Sequence, residues 1–230
     1  MAMPGRDVRL RVQRQSEFWR WELTTRCRRG GGLSHDPVRA WRFPALAFRS
    51  TIFGTMRAET DAAKLKAFMA ELGNRVRGPG RIYLTGGATA LLHGWRSTTI
   101  DVDLKPDPEP PGLFEALAVL KDELDINVEL ASPDQFIPAV PGWRERSLFI
   151  ARYGQIEFFH YDPYGQALSK LQRRHDRDIH DACSFLRDGL IDVTRLLEMF
   201  VQIEPELIRY PAVDAASFRS AVLEFCNENR

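Results

Sequence analysis

Between residues 81 and 104 an apolar strand, Arg81-Ile82-Tyr83-Leu84-Thr85, runs into the glycine pair Gly86-Gly87, and Thr99-Ile100-Asp101-Val102-Asp103-Leu104 follows. This window constrains the chain more than any other. Glycine admits positive φ and a close backbone approach, so the pair marks a tight strand-to-helix turn. A strand has a period of two, so Asp101 and Asp103 project to the same face. Two carboxylates held that close repel and disfavour full ionisation. A divalent cation relieves the repulsion, and Mg²⁺ suits one or two carboxylates completed by substrate phosphates.

The helix expected after Gly86-Gly87 would turn free N–H groups and a positive dipole end toward an anion. A phosphate-binding turn followed 14 residues later by Asp-x-Asp is the layout of a nucleotidyl-transfer site.

Length and composition set the frame. A chain of 230 residues with 44% hydrophobic residues has room for one large domain or two small ones. No apolar run reaches the roughly 18 residues needed to cross a membrane. The three cysteines, Cys27, Cys183 and Cys226, are widely spaced and lack metal-ligand spacing. They read as reduced thiols of a cytoplasmic protein. The net charge of +1 conceals an asymmetry: residues 1–55 carry +7, with 11 arginines and no lysine, and the remainder carries −6. The first 55 residues also hold Arg28-Arg29-Gly30-Gly31-Gly32 and three tryptophans, with no sustained period. They read as a disordered basic tail or as sequence upstream of a start at Met56. A transit peptide and a nucleic-acid-binding arm are the alternatives.

Periodicity predicts a helix from Thr60-Asp61 to about Leu72, stopped by Gly73, with Leu65, Phe68, Met69 and Leu72 on its core face. Strands are expected over 81–85, 99–104 and 126–131, with helices over 88–93 and 112–123. Two strands over 148–153 and 155–160 read as a hairpin around Gly154. From 163 to 187 the pattern is helical, with further helices over 193–203 and 217–228. The fold class is therefore α+β: a mixed-sheet core over 56–162 followed by a helical C-terminal region over 163–230.

These residues resemble the nucleotidyltransferase superfamily of the DNA polymerase β type, in its small bacterial branch related to AbiEii-like toxins of toxin–antitoxin systems. The resemblance rests on Tyr83-Leu84-Thr85-Gly86-Gly87, Thr99-Ile100-Asp101-Val102-Asp103-Leu104, Asn127-Val128-Glu129-Leu130-Ala131-Ser132-Pro133 and His160-Tyr161-Asp162-Pro163-Tyr164. Ala167-Leu168-Ser169-Lys170 and Asp178-Ile179-His180-Asp181 extend it, so that it covers about residues 57–225. It implies a nucleotidyltransferase-fold domain and transfer of a nucleoside monophosphate from an NTP to a hydroxyl of RNA, protein or a small molecule. It also implies Mg²⁺ on Asp101 and Asp103, a third acid on the neighbouring strand, and a toxin's cognate antitoxin as partner.

For the third acid, Glu129 is the first candidate and Asp125 the second, with Asn127 on the same face. Gly87 stands where many active members carry a phosphate-binding serine, so Thr85 or Thr89 is expected to supply the hydroxyl. Lys170 resembles the family's helical lysine that contacts nucleotide phosphates; the bland alternative is a solvated helix residue. Asp178 fits the helical acid that closes the site, against salt bridging with Arg173, Arg174 and Arg177. Arg96 is expected on the triphosphate or on Asp103, and Arg144, Arg146, Arg173, Arg174 and Arg177 are expected to line a cleft. A catalytically inactive nucleotide- or partner-binding module on the same fold is the competing expectation.

Overall fold

The computed structural model describes residues 58–230 and two short strands near the N-terminus. The latter, β1 (Arg14–Gln15) and β2 (Phe18–Trp19), pair antiparallel. They belong to a unit spanning Met1–Thr51, and Ile52–Arg230 forms a second compact unit. The reading of residues 1–55 as a basic tail, and the start at Met56, lie otherwise outside the described residues.

In the second unit β3 (Thr60–Asp61) leads into α1 (Ala62–Arg75). The Asp61 carboxylate accepts the Lys64 N–H and caps the helix. The helix runs past Gly73 to Arg75: α-helical backbone is open to glycine at a cost of about 1 kcal/mol, and a Cβ at 73 would collide with Tyr153. Leu65, Phe68, Met69 and Leu72 are essentially fully buried, each stabilising by about 1.5–3 kcal/mol.

The main sheet is mixed and has five strands. In spatial order they are β7 (Asn127–Glu129), β6 (Asp101–Pro106), β4 (Gly80–Thr85), β9 (Ile156–His160) and β8 (Leu148–Tyr153). β4 runs antiparallel to β6 and parallel to β9, β6 is parallel to β7, and β8–β9 is the expected hairpin. The strand expected over 99–104 is split: β5 (Thr98–Thr99) pairs with β3, and the main strand starts at Asp101. The strand expected over 126–131 is shorter for a similar reason. Asp125 takes a left-handed φ of 48°, and the chain has left the sheet after Glu129.

One face of the sheet is apolar. Ile82, Leu84, Val102, Leu104, Val128, Ile156 and Phe158 pack there against α1 and α3 (Leu113–Glu123). Their alternating partners emerge on the other face, where Tyr83, Trp143, Tyr161 and Phe159 form an aromatic cluster.

The helical stretch expected over 163–187 is two helices. α5 (Pro163–Arg173) ends where Arg174 adopts φ 56°, and α6 (Asp176–Arg187) starts afresh. Asp162 caps α5 through the N–H groups of Tyr164 and Gly165, with Pro163 at the first helical position. α7 (Val193–Ile203) and α8 (Ala215–Glu228) complete a second core with α5 and α6, in which Leu168, Phe185, Phe200, Phe218 and Val222 are buried. Almost all of α5 is buried, so it belongs both to this core and to the wall of the site.

Candidate active site

Directly paired residues of neighbouring strands project to one face. Thr85 pairs with Asp103 and Asp103 with Glu129, so the three form a row across β4, β6 and β7. Asp101 pairs with Asn127 in the next row. The Asn127 amide donates to Asp101 Oδ1 at 2.5 Å and to Glu129 Oε1 at 3.4 Å, tying two of the carboxylates together. Asp125, the second candidate for the third acid, is not in this row. Its carboxylate accepts the Ala58 N–H.

The glycine turn is built for closeness. α2 (Gly86–Leu92) begins at Gly86 itself, earlier than the expected 88–93, because Gly86 turns the strand with φ +57°. A Cβ there would collide with the Asp103 carboxylate, and one at Gly87 would land on the Thr99 hydroxyl. That hydroxyl donates to the Asp101 carbonyl at 2.9 Å. Thr99 on β5 thus leaves no room for a side chain at 87 as the backbone stands. The two hydroxyls named from the sequence differ. Thr85 lines the pocket beside Asp103, but Thr89 points away: its hydroxyl donates to the Leu84 carbonyl at 3.1 Å and meets His160 Nδ1 at 3.3 Å inside the core. The Gly86 N–H is not free for an anion either, because it donates to Gln166 Oε1 at 3.1 Å, and the Gln166 amide donates in turn to the Tyr161 carbonyl at 2.7 Å. Gln166 carried no signal in the sequence, since it sits in no motif and acts through a contact distant in the chain, and Thr99, although it opens the Thr99–Leu104 motif, carried none for this contact because it is made around a strand break.

The electrostatics of the two walls differ. Burial, and then the neighbouring charges of Asp101 and Glu129, push the Asp103 carboxyl up to about 6, against the pull of Arg173 and Lys170. Lys170 is buried, not solvated. Its ammonium bonds Asp181 at 2.5 Å and Asp178 at 3.3 Å. Arg96 bonds the same Asp181 oxygen at 2.5 Å, so its partner is neither Asp103 nor an open position. Asp178 is also held by Arg173 at 2.9 Å. The helical acid at the centre of this network is Asp181, which is fully buried and has one oxygen without a hydrogen bond among the described residues.

Of the arginines expected to line a cleft, only Arg173 and Arg177 do, together with Arg96. Arg144 pairs with Asp107, Arg146 grips the buried Asp162 with bonds of 3.0 and 2.7 Å, and Arg174 pairs with Glu224. These are local partners that compete successfully for each guanidinium. Trp95 is cleft wall, fixed by an indole N–H to Asp188 at 2.6 Å and by stacking on His93. Trp143 belongs to the aromatic cluster.

Two hollows meet at Asp101, Asp103, Gly86, Lys170 and Arg173. One is a cleft of about 1010 Å³ that reaches Trp95, Arg96 and α6. The other is a pocket of about 230 Å³ that reaches Glu129 and Phe136. The donor set at their junction is all oxygen and fits Mg²⁺, which keeps waters and takes only one or two protein carboxylates. Among the described residues no three His, Cys, Asp or Glu side chains gather into a ready metal cage.

No helix among the described residues is long and apolar enough to cross a membrane. No curated protein and no solved structure matches the chain. A family model for nucleotidyltransferases of unknown function (DUF6036) matches residues 63–226, which includes the turn, the carboxylate row and the helices that carry Lys170 and Asp181. The chain belongs to this nucleotidyltransferase family.

Proposed function

We propose that the protein is a Mg²⁺-dependent enzyme that moves a nucleoside monophosphate from an NTP to a hydroxyl acceptor. The observation that carries this is the Thr85–Asp103–Glu129 row with Asp101 beside it. Burial, and then the charges of Asp101 and Glu129, raise the proton affinity of Asp103, while Gly86 leaves no side chain between these carboxylates and a ligand. Asp101 and Asp103 hold the cation, which when bound neutralises charge on the transferring phosphoryl group. Arg173, which is part-exposed beside its bond to Asp178, lies at the same junction to orient the phosphates, with Arg177 on the same wall, and the buried Lys170 holds that wall in place through Asp178 and Asp181. Glu129 accepts the proton of the attacking hydroxyl. The acceptor oxygen bonds to the α-phosphorus, the bond from that phosphorus to the bridging oxygen breaks, and pyrophosphate leaves with the electron pair.

The test is label transfer. The protein is incubated with each α-labelled NTP, Mg²⁺, and total RNA or lysate, beside an Asp101→Ala/Asp103→Ala control. Transfer abolished by the two substitutions supports the reading, and absence of transfer from both samples overturns it. In the biological extension the enzyme acts as a toxin held by a cognate antitoxin. Expression of the chain then arrests growth, and Asp101→Ala relieves the arrest.

A second reading, a module that binds nucleotide or a partner without transfer, is favoured by one feature. The Gly86 N–H is already bonded to Gln166 and Gly87 offers no hydroxyl, so the turn presents fewer donors to a phosphate than its sequence promises. Nucleotide binding without label transfer would decide for it.

A further inference from the structure

Asn127 takes no part in the proposed transfer, yet it bonds two of the carboxylates that do. The parallel register sets it directly opposite Asp101, and Glu129 follows two residues later on the same face. Val128 between them is buried in the core. The Asn127 amide nitrogen donates to Asp101 Oδ1 at 2.5 Å and to Glu129 Oε1 at 3.4 Å. The first bond is short, and the second lies at the outer limit of a hydrogen bond. Among the described residues no other group donates a hydrogen bond to either carboxylate, and Asp101 Oδ2 receives none.

The residue type suits this duty. An amide nitrogen carries two N–H donors and no charge, whereas a hydroxyl has one donor. A lysine or arginine here would cancel the negative charge that a cation needs. Strand propensity does not account for the choice: asparagine is depleted in strands, and β7 is a three-residue strand at the sheet edge. Asn127 is half-buried and lines neither hollow, whereas Asp101 lines both. It therefore acts on a ligand through Asp101 and not by contact. Like charges on Asp101 and Asp103 drive the two side chains apart, and the Asn127 bond opposes that movement.

We infer that Asn127 is a positioning residue: its amide fixes one oxygen of Asp101, keeps that carboxylate beside Asp103, and leaves the other oxygen for the cation. This rests on the nucleotidyltransferase reading and deepens it. The bond to Asp101 carries the role, and the longer contact to Glu129 adds little. Groups that hydrogen-bond a ligating carboxylate are worth about 10–100-fold in metal affinity.

The experiment titrates the full chain with Mn²⁺, a paramagnetic stand-in for Mg²⁺, beside a non-hydrolysable NTP analogue. Water-proton relaxation reads the protein-bound ion. Asn127→Val removes the amide and suits a strand. It is expected to weaken Mn²⁺ binding about 10–100-fold, while the Tm of the metal-free chain stays within about 4 °C. Label transfer by the same variant is expected to recover as Mg²⁺ is raised, because the loss is in hold on the cation. Asn127→Ala repeats the measurements with no branched side chain in the row. Mn²⁺ affinity unchanged within about twofold, in either variant that keeps its Tm, overturns the inference. So does a Tm loss beyond about 4 °C in both variants, which makes Asn127 a structural residue. A transfer defect that Mg²⁺ does not relieve also overturns it and moves the role to Glu129. If the unaltered chain binds no Mn²⁺ with the analogue present, the nucleotidyltransferase reading itself falls, and the role of Asn127 with it.

Discussion

Asp101 and Asp103 on the sheet and Asp178 and Asp181 on α6 line the same cleft, yet their charges are handled in opposite ways. On α6 each carboxylate has cationic partners: Lys170 and Arg173 for Asp178, and Lys170 and Arg96 for Asp181. On the sheet burial, and then the charges of Asp101 and Glu129, raise the proton affinity of Asp103 against the weaker pull of Arg173 and Lys170. A buried charge with its partners in place is a structural element, and losing one partner is expensive. A part-buried charge among like charges weakens the resting fold. The contrast separates the part of the cleft that holds the architecture from the part available for chemistry.

The largest expected effect breaks the sheet side. Asp103→Asn should lower label transfer on the order of 10³-fold, as expected when electrostatic stabilisation of a transition state is removed. The same variant should be more stable than the unaltered chain at pH 7.5 by up to about 3 kcal/mol, since a shift from 3.8 to about 6 measures the disfavoured charge. Urea denaturation reads the second effect, and a loss of stability would break the comparison.

Substitutions on the helix side should do the reverse. Lys170→Met leaves Asp178 and Asp181 short of a buried partner and should destabilise by about 3–5 kcal/mol. The double variant Lys170→Met/Asp181→Leu should recover part of that loss. Equal losses in single and double variants would show that Lys170 is not balanced by Asp181.

The pH dependence sharpens the contrast inside the fold. Asp103 has a raised folded value, so its favourable contribution is complete below 3.8 and is lost as pH rises through about 6. His160 has a folded value lowered to about 3 by burial and then by His93, so its contribution is complete above 6.5 and is lost as pH falls toward 3. Between pH 4 and 6 the two slopes oppose, each at most about 1.4 kcal/mol per pH unit. His160→Asn should remove the acid-side loss, and Asp103→Asn the opposite slope. Denaturation series at pH 4, 5, 6 and 7 measure both.

The smallest expected effect is a thermal shift. Mg²⁺ with an NTP analogue should raise Tm by a few degrees, more at pH 7.5 than at pH 5, because protons compete for Asp103. Asp101→Asn/Asp103→Asn should abolish the difference.

Most elements were legible because hydrophobic period and caps act locally. The stripe of Leu65, Phe68, Met69 and Leu72, the bounds of α7, and the hairpin around Gly154 all appear where the pattern puts them. The misplacements fall where backbone conformation departs from the period: at Arg174, which breaks one expected helix into two, and around Ile100 and Asp125, which shorten two strands. Within the site, Asp101 and Asp103 share a face as strand geometry demands. The partners of Arg96, Thr89 and Arg146 were not legible, because a polar side chain bonds whatever group the fold carries to it.

The sequence by itself determined the glycine turn, the alternation that aligns the two aspartates, and the order of sheet before helices, since each depends on neighbours within a few residues. Tertiary structure alone decided that Glu129 joins their row, that Thr99 crowds out a side chain at 87, and that Asp181 neutralises Lys170. Those outcomes depend on strand register and on the packing of α5 and α6 beside the sheet. Burial makes pairing across such distances in the chain strong, and no local pattern encodes it.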